Sequence, residues 1–598
     1  MLIQLTREQE EILATNRDIV INAVAGSGKT TTLIEYAKSR PANSKILYIA
    51  FNSSVRKEAV EKFEKHSLLN VRVETAHSLA FKFIVAGSNW QVNSTGYKSY
   101  EWVKILDIKS GDSYVDLMLA THVNNFIAFW CNSAETKVQE LNYLATIENA
   151  KTRQFVNHFY EAIVNYTRQA LAMMNNGTIA ITHDFYLKKF QLAMPILPYD
   201  YILFDEGQDA SAAMLDVFLN QKAIKIIVGD EHQQIYSWRY AINSLQKVDF
   251  DKFYLSQSFR FSDEIAFTAN HYLKWKPKFL KLENPVRVLG TDADAGNITS
   301  RAVIGRTNLA LLADAIKRMN NRQLKSCYFE GNINSYLFAE EGGSIYDILN
   351  LSRGNTDGIK SPLIASMPDM KALDEYIENT EDRNLSMLVD MVKQFGQSLP
   401  NYVSQLQNMH VDDKNKADII YSTVHRCKGL EYDEVTLLDD FINEQKFSKL
   451  LSEINSGDKS LITVIEEVNL VYVAATRARI KLNLPQALSP FRNVFIQVND
   501  NSNNERIIID TPTGVRRLRK LNASPNASHS TIESRAQYKF RNNGAAWHKD
   551  DDKTLEDLFK QGQSLKELGE YFGRTNSAIS SRLKKLRLIE GYDEYNDF

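Results

Sequence analysis

The chain has 598 residues, which is long enough for several domains. Its residues are 44% hydrophobic and 24% charged, a composition typical of a globular protein and not of a disordered or fibrous one. Its formal net charge of −2 excludes a uniformly basic chain, so any nucleic-acid binding must depend on local positive charge. The three cysteines (Cys131, Cys327 and Cys427) are too few for a disulfide framework and too widely spaced for a metal motif, which indicates a reducing compartment. No apolar run approaches the roughly 18 residues of a membrane span, and the opening residues predict no secretory signal, so we expect no membrane association.

Short apolar segments alternate with helical ones along most of the chain. The first is RDIVINA at 17–23, which is followed by a glycine-rich loop and the helical stretch TTLIEYAKSR. Comparable strand-like segments occur at 45–51, 201–206, 223–230 and 253–257, and again near 303, 418 and 434. This alternation predicts an α/β fold with two parallel-sheet domains.

Other stretches depart from this alternation. The residues after 81 are aromatic-rich and helical, those after 330 have an irregular pattern, and those after 497 are polar and rich in Asn and Ser. We therefore predict a first α/β domain in 1–81 and 196–255, a helical insertion at 82–195, a second α/β domain in 256–330 and 411–497, a small inserted subdomain at 331–410, a linker at 498–545 and a helical module at 546–590.

The segment AVAGSGKT at 23–30 fits a phosphate-binding loop, except that Ala23 replaces the usual first glycine. Small residues let backbone N–H groups face phosphate oxygens at the N-terminus of the following helix. Lys29 is expected to reach the β- and γ-phosphates, and the Thr30 hydroxyl to bind Mg²⁺. By itself the loop indicates only a nucleotide site, with the binding residues Ala25, Gly26, Ser27, Gly28, Lys29, Thr30 and Thr31.

The segment FDEGQD at 204–209 ends an apolar strand with adjacent carboxylates. Asp205 is expected to hold Mg²⁺, and Glu206 to orient and deprotonate the attacking water. The alternative is a pair of solvated acids at a strand end. The phosphate-binding loop upstream favours the first interpretation and indicates hydrolysis of a nucleoside triphosphate.

Six further segments occur in an order that carries a family resemblance. They are LTREQ at 5–9, TAHSLA at 75–80, VGDEHQQIYSWRYA at 228–241, SQSFRF at 256–261, STVHRCKGLEYDEV at 422–435 and EEVNLVYVAATRAR at 466–479. In this order they resemble the motifs of the UvrD/Rep/PcrA group of superfamily 1 helicases. Within the motifs, the residues are most similar to those of the F-box DNA helicase branch. The resemblance covers about residues 1–490 and implies two RecA-like domains that use ATP and Mg²⁺ to act on DNA.

The resemblance assigns roles in ATP hydrolysis to both α/β domains. It implies that Gln9 binds the adenine edge, that Phe259 stacks on the base, and that Gln233 senses the γ-phosphate. Arg260 and Arg477 correspond to two arginine fingers, which stabilise charge in the transition state. The remaining assignments are a ribose contact for Glu431 and a position near the phosphates for Gly429. The predicted catalytic set is thus Lys29, Asp205, Glu206, Gln233, Arg260 and Arg477.

The resemblance also assigns DNA contacts. Base stacking on aromatic rings tolerates any sequence and contributes ~1–3 kcal/mol per base, which suits Tyr236 and Trp238, with Arg239 beside them. The alternative for both aromatic residues is an ordinary core position. The resemblance further implies contacts to the strand from Thr75, His77, Thr423 and His425, although lone histidines are often structural groups.

Three features depart from the family pattern. Thr31 stands where the group often carries an arginine that covers the adenine, which predicts one-sided base stacking. Tyr240 stands where the group usually has glycine, so the backbone there is expected to differ. The short stretch 331–410 predicts a reduced form of the inserted subdomain.

The C-terminal segment SLKELGEYFGRTNSAISSRLKKL resembles a helix-turn-helix module. The apolar residues with the spacing of a small helical core are Leu565, Leu568, Ile579 and Leu583. The predicted DNA-contacting residues of its second helix are Arg582, Lys584 and Lys585. The alternative is a protein-interaction bundle with a solvated basic face.

We therefore expect an ATP-dependent single-stranded-DNA translocase or helicase, with 3′ to 5′ movement implied by the resemblance. Its expected partners are single-stranded DNA, tailed or junction duplex DNA, and a possible separate nuclease; its expected location is the cytoplasm, associated with the nucleoid. The alternative is an ATP-controlled DNA-binding switch that recruits partners or displaces proteins. An RNA motor also stays open from the residues alone.

Overall fold

The structure, a computed structural model, describes residues 4–276, 287–291, 296–339, 341–455, 461–490, 506–509, 517–520, 549–560, 568, 572, 574 and 576–586. The chain divides into two compact units. The first comprises residues 1–495 and 509–517, and the second comprises residues 496–508 and 518–598.

The first unit contains a six-stranded parallel sheet with the order β3-β2-β4-β5-β1-β6. Its inner strands are almost fully buried because helices cover both faces, as is usual for parallel sheets. Parallel strands end at a common edge, so the loops after them lie together. The strands are β1 (Ile19–Ala23), β2 (Ile46–Ala50), β3 (Val71–Thr75), β4 (Tyr201–Phe204), β5 (Ile224–Gly229) and β6 (Asp251–Leu255).

A second parallel sheet in the same unit has five strands with the order β11-β10-β7-β9-β8. The predicted α/β class with two parallel-sheet domains is therefore confirmed. The strands are β7 (Arg301–Gly305), β8 (Cys327–Phe329), β9 (Ile419–Thr423), β10 (Tyr432–Leu437) and β11 (Ala478–Asn483).

Helices connect these strands, and many begin at a residue whose side chain caps the first turn, as Thr6, Asn52 and Thr307 do. The helices up to β6 are α1 (Arg7–Leu13), α2 (Lys29–Lys38), α3 (Ser53–Lys65), α4 (Ala76–Ala80), α5 (Ser99–Ile105), α6 (Ser113–Asn132), α7 (Ala150–His158), α8 (Tyr160–Asn175), α9 (His183–Leu192), α10 (Ala212–Leu219) and α11 (Ser244–Lys247). Those after β6 are α12 (Asp263–Leu273), α13 (Asn308–Asn320), α14 (Ile345–Ser352), α15 (Pro362–Ala365), α16 (Met370–Thr380), α17 (Arg383–Phe395), α18 (Leu399–Met409), α19 (Glu444–Asn455) and α20 (Leu461–Ala475).

Both insertions are helical. Helices α5 to α9 lie between β3 and β4, in the stretch predicted to be a helical insertion. The stretch 331–410, which looks irregular in sequence, holds the five helices α14 to α18. These helices are short, and new caps at Ser344, Ser361, Asp369 and Asp382 start most of them, so no long apolar period develops. Hydrogen bonds join the two insertions; for example, the Tyr114 hydroxyl donates to the Ala372 carbonyl at 2.8 Å.

The second unit contains a small helical module. Its helices are α21 (Lys549–Lys560) and α22 (Asn576–Lys585), and its core comprises Leu555, Leu568, Phe572, Ile579 and Leu583. Three of the four predicted core leucine and isoleucine positions are thus buried, while Leu565 lies outside the described residues. Two short strands, β12 (Arg506–Ile509) and β13 (Arg517–Lys520), pair within the stretch predicted to be a linker. In the part of the chain that the structure describes, no helix has the length and apolar character to span a membrane.

Candidate nucleotide site and nucleic-acid contacts

The loop between β1 and α2 has the backbone of a phosphate-binding loop. Gly26 and Gly28 adopt φ values of +75° and +79°, which lie in the left-handed region that favours glycine. A Cβ at Gly26 would lie 2.6 Å from the Cβ of Arg260, so only glycine allows the approach of that segment. Helix α2 begins at Lys29 with no side-chain cap, which leaves backbone N–H groups of its first turn to bind an anion.

Lys29 and Glu206 form a partly buried ion pair beside this loop. The Lys29 Nζ lies 2.7 Å from the Glu206 Oε1. Burial acts to raise the pKa of Glu206, but the positive charges of Lys29 and Lys428 outweigh it and lower that pKa to about 2. Glu206 also has φ +55°, a left-handed conformation that costs energy for a residue with a side chain and is typical of functional sites. The predicted base is therefore ionised and lies next to the predicted phosphate-binding lysine.

Asp205, at the end of β4, has a different environment from its neighbour. Burial and the charge of Glu206 raise the pKa of Asp205 to about 6. Its carboxylate accepts hydrogen bonds from the Tyr48 hydroxyl and, at 2.9 Å, from the backbone N–H of Glu206. Mg²⁺ binds hard oxygen ligands and is usually held by one or two carboxylates together with phosphates and water. The Asp205 carboxylate and the Thr30 hydroxyl in the first turn of α2 fit that requirement.

A hydrogen-bond network after β5 joins the two sheets. The Asp230 Oδ2 accepts hydrogen bonds from the Gln233 Nε2 at 2.7 Å and from the Tyr472 hydroxyl at 2.9 Å. The Tyr472 hydroxyl in turn accepts a bond from the Ala25 N–H at 3.1 Å. Tyr472 lies on α20, which packs on the second sheet, so one buried hydroxyl links that domain to the phosphate loop and to the predicted sensor Gln233.

The two predicted arginine fingers are neighbours at the same site. Arg260 donates to the Glu431 Oε2 at 2.9 Å and to the Thr476 carbonyl at 3.2 Å. Arg477 is fully buried and donates to the carbonyls of Val473 and Leu430, at 2.9 and 3.2 Å. Burial and the charge of Arg260 lower the pKa of Arg477 to about 10. The structure therefore holds two guanidinium groups of the second domain close to the phosphate loop.

The residues predicted to bind the base flank Gly28. The Gln9 Nε2 donates to the Thr32 Oγ1 at 3.0 Å, and its Oε1 caps α1 by accepting from the Thr6 N–H at 2.9 Å. Phe259 is 54% exposed, its ring lies 3.9 Å from the Cβ position of Gly28, and its N–H donates to the Gly26 carbonyl. An aromatic ring and a fixed amide thus adjoin the loop. Thr31 is half-buried in α2, and Gly429 has φ +86° in an exposed turn before the exposed Glu431.

The predicted aromatic DNA contacts form a cluster. The Tyr236 ring stacks on Phe51 with a centroid distance of 5.9 Å and adjoins Trp238, which is 47% exposed. The Arg239 guanidinium lies 4.5 Å from the Trp238 ring, and the Tyr236 hydroxyl donates to the His425 carbonyl at 3.1 Å. Trp238 is therefore not a core residue, and Tyr236 is half-buried beneath it. We name Phe51, Tyr236 and Trp238 the Trp238 cluster.

The other predicted strand contacts lie around or away from this cluster. Thr423 is buried at the end of β9, and burial and the charge of Arg306 lower the pKa of His425 to about 3, so His425 is neutral. Thr75 caps α4 through its hydroxyl, and His77 lies half-buried 3.8 Å from Asp184. Thr75 ends β3, the outermost strand of the first sheet, and His77 follows that strand in α4. The neighbouring strand is β2, which precedes Phe51 of the Trp238 cluster, whereas Tyr236 and Trp238 follow β5, two strands farther along the sheet.

Several functional candidates were missed in the sequence. Tyr48, Tyr472 and Phe51 look like ordinary strand or helix residues in the sequence, and no spacing relates them to the site. Lys428 donates to Asp209 and, at 2.7 Å, to the Gln233 carbonyl, which ties the second domain to the loop after β5. Its position in KGLEYDEV was the available signal.

Tyr240, which stands where the family usually has glycine, has a structural explanation. Tyr240 adopts φ +59°, the conformation that glycine would favour there, and its hydroxyl donates to the Asn125 carbonyl of the helical insertion at 3.0 Å. Cys427, in the segment STVHRCKGLEYDEV, is buried in the core of the second domain and packs there.

In the C-terminal module, the basic residues predicted to contact DNA differ in their ion pairing and exposure. Both Arg582 nitrogens Nε and Nη2 donate to the Asp552 carboxylate at 2.6 Å, so this guanidinium is paired within the module. Lys585 is exposed at the end of α22, and Lys584 precedes it in the same helix.

Comparison with known proteins shows which family the chain resembles. Residues 5–252 match the family model for the UvrD/REP helicase N-terminal domain. The chain is 30% identical over 527 residues to F-box DNA helicase 1 of Gallus gallus, covering 81% of this chain and 49% of that protein. It is 27% identical over 531 residues to F-box DNA helicase protein 1 of Schizosaccharomyces pombe, covering 81% and 58%. A probable DNA helicase II homolog of Mycoplasma genitalium is 22% identical, with 83% and 86% covered.

The chain thus spans about half the length of the F-box helicases that it matches. The family match begins near the Gln9 motif and includes the phosphate loop, Glu206 and Trp238. The similarity to the helicases extends over four fifths of the chain and so includes the second sheet. Residues 5–252 therefore match the UvrD/REP helicase N-terminal domain, and the chain as a whole is similar to F-box DNA helicases and to helicases of the UvrD/Rep/PcrA type, in agreement with the resemblance predicted from the motifs.

Proposed function

We propose that this protein is an ATP-driven motor that moves along single-stranded DNA in the 3′ to 5′ direction and unwinds duplex ahead of it. The observation that carries the proposal is the segment from Asp230 to Arg239. Within ten residues it holds the Asp230–Gln233 pair of the ATP site and the exposed Trp238 with its covering arginine. The segment therefore connects the residues that would bind ATP with the aromatic residue that would bind the DNA strand.

The ion pair between Lys29 and Glu206 supports a two-step use of ATP. Phosphate oxygens that enter the loop compete for Lys29 and release Glu206, which is 2.7 Å away and ionised. Released Glu206 then accepts a proton from the attacking water. Mg²⁺ held by Asp205 and Thr30 would neutralise charge on the phosphates. Arg260 and Arg477 stabilise the charge that develops on the transferred phosphoryl group.

Contacts between the two sheets support coupling to movement. Tyr472 reaches Ala25 and Asp230, Lys428 reaches Asp209 and Gln233, and the Tyr236 hydroxyl reaches the backbone of His425. Each of these bonds breaks if the second domain moves away from the first. Closure on ATP and reopening after hydrolysis would therefore shift the Trp238 cluster relative to the second domain and carry the strand with it.

The proposal is tested by the ATPase rate with and without single-stranded DNA, and by unwinding of duplexes with a 3′ or a 5′ tail. We expect stimulation that grows with strand length, and faster unwinding of the 3′-tailed duplex. Faster unwinding of the 5′-tailed duplex would contradict the polarity. An ATPase rate independent of strand length would favour the ATP-controlled switch, and stronger stimulation by RNA than by DNA would favour an RNA motor.

Tyr472→Phe tests the link between the domains. This change removes only the hydroxyl that bridges Ala25 and Asp230. We expect a roughly tenfold lower kcat for DNA-stimulated ATP hydrolysis, because a loss of about 1.4 kcal/mol, the scale of hydrogen bonds in proteins, lowers a rate tenfold. The KM for ATP should change less than twofold, because Ala25 and Asp230 stay in place.

Tyr432→Phe is the matched control. Tyr432 is also buried, and its hydroxyl donates to the Glu330 carboxylate at 2.9 Å within the second domain. This control should lower the melting temperature without lowering kcat. An equal loss of kcat in both variants would show that Tyr472 acts only on stability.

A further inference from the structure

A buried carboxylate at the edge of the first sheet is surrounded by positive charge. Glu74, near the end of β3, is paired with Arg72 at 3.0 Å, with Arg56 at 3.7 Å, and with Lys82. Glu74 is 2% exposed, whereas the three basic side chains are each about half exposed. No second carboxylate within the described ranges pairs with these three cations, so one negative charge faces three positive ones. These four residues together therefore carry an excess of two positive charges.

Two exposed aromatic rings adjoin these charges. Phe81 and Phe83 flank Lys82 in a single π-helical turn, Phe81–Val85, and they are 42% and 53% exposed. Their inner sides pack on α9, with Phe81 5.9 Å from Tyr186 and Phe83 5.3 Å from Phe190. Since Tyr186 and Phe190 are one helical turn apart, α9 supports both rings from behind. Single π-helical turns occur often at functional sites, and exposed aromatic groups mark interaction surfaces.

The position of this surface extends the series of predicted strand contacts. The loops after β5, β2 and β3 carry Trp238, Phe51 and His77, and these three strands succeed one another toward the edge of the sheet with only β4 between them. The π-helical turn follows His77 by way of α4. A strand that passes from the Trp238 cluster to His77 therefore meets Phe81 next.

We propose that Arg56, Arg72, Phe81, Lys82 and Phe83, which we name the Phe81 patch, form a further binding site for single-stranded nucleic acid. The three cations contact phosphates, and the two rings stack on unpaired bases. A groove with alternating basic and aromatic groups suits single strands, because every base has a face that stacks and a duplex keeps those faces covered. The inference rests on the proposed function, since it lengthens the track that starts at the Trp238 cluster.

The test is the affinity of the full chain for fluorescently labelled oligo(dT), measured by anisotropy with a short strand of about 6 nucleotides and a long one of about 20. The ring variant is Phe81→Ala with Phe83→Ala, and the charge variant is Arg72→Gln with Lys82→Gln. We expect the ring variant to bind the long strand at least 5-fold more weakly and the short strand as the wild type does. The charge variant should reduce the slope of log affinity against log salt on the long strand by about 1.4, for two phosphates.

Leu69→Ala is the control, because Leu69 is 88% exposed but lies before β3, at the opposite end of that strand from the patch. The two variants keep the ATP site intact, so kcat at saturating DNA should stay within twofold of the wild type. Wild-type affinity for the long strand in both variants would overturn the Phe81 patch while leaving the proposed motor in place. Equal weakening on blunt duplex would overturn its preference for single strands. A wild-type protein that binds no single strand would overturn both proposals.

Discussion

Replacing Glu206 by glutamine is expected to lower the DNA-stimulated ATPase rate by a factor of about 10² to 10⁴, the usual contribution of a positioned general base. Glutamine keeps the shape of the side chain but accepts no proton from water. It also removes the negative partner of Lys29 at 2.7 Å, which frees that lysine for phosphate. ATP affinity should therefore stay equal or rise while kcat falls. The measurement is steady-state ATP hydrolysis with saturating single-stranded DNA, together with binding of a fluorescent ATP analogue.

Glu35→Gln supplies the control for this prediction. Glu35 also pairs with a lysine, Lys38 at 2.6 Å, but on the part of α2 farther from the phosphate loop. Its loss should leave kcat within twofold of the wild type. If the Glu206→Gln variant kept more than a third of the wild-type kcat, Glu206 would not be the general base, and its left-handed backbone would have no catalytic explanation.

Replacing Arg260 by alanine is expected to lower kcat by about 10³-fold, the lower end of what an arginine at the transferred phosphoryl group contributes. Its Cβ packs against Gly26 of the phosphate loop and leaves no room there for a side chain, while its guanidinium contacts Glu431 and the Thr476 carbonyl of the second domain. The partner in the structure is Glu431 at 2.9 Å, so no buried charge is orphaned by the change, since Glu431 is exposed. The variant should therefore fold as the wild type does, and the change should slow the hydrolysis of ATP and the closure of the two domains.

The measurements are kcat, the KM for ATP, and the melting temperature of the full chain. Arg301→Ala is the matched control, because Arg301 lies on the second sheet and pairs with Glu434 at 3.2 Å, away from the ATP site. Arg477 is less suitable, since it is fully buried among carbonyl groups and its loss would disturb the core. A similar fall in kcat for Arg301→Ala, or a fall explained by unfolding of Arg260→Ala, would remove Arg260 from its proposed role.

The parts of the site that lie in contiguous segments follow from the sequence. The loop at 23–30 and the acids at 205 and 206 need particular residue types at fixed short spacings, because backbone N–H groups and carboxylates must meet one phosphate chain. The alternation of apolar and helical segments likewise predicts both parallel sheets. The inserted stretch 331–410 was harder to predict, because its short helices restart at new caps and leave no sustained period.

Contacts between segments that are distant along the chain could not be predicted from the sequence, except where the family resemblance implied them. The Tyr472 hydroxyl meets Ala25 across 447 residues of chain, and Phe51 stacks on Tyr236 although no spacing relates them. Glu74 appears in the sequence as an ordinary strand residue, yet its carboxylate gathers cations from β3, from α3 and from the π-helical turn.

The sequence by itself therefore determined the α/β class and the two segments proposed to bind the nucleotide and its metal ion, because these depend on local spacing. The tertiary structure decided which side chains of the second domain contact the phosphate loop, which aromatic rings are exposed, and where positive charge collects on a chain of net charge −2. The physical reason is the crossover order of the parallel strands. That order places the ends of distant strands side by side, and it is fixed by packing of the sheets rather than by the order of residues along the chain.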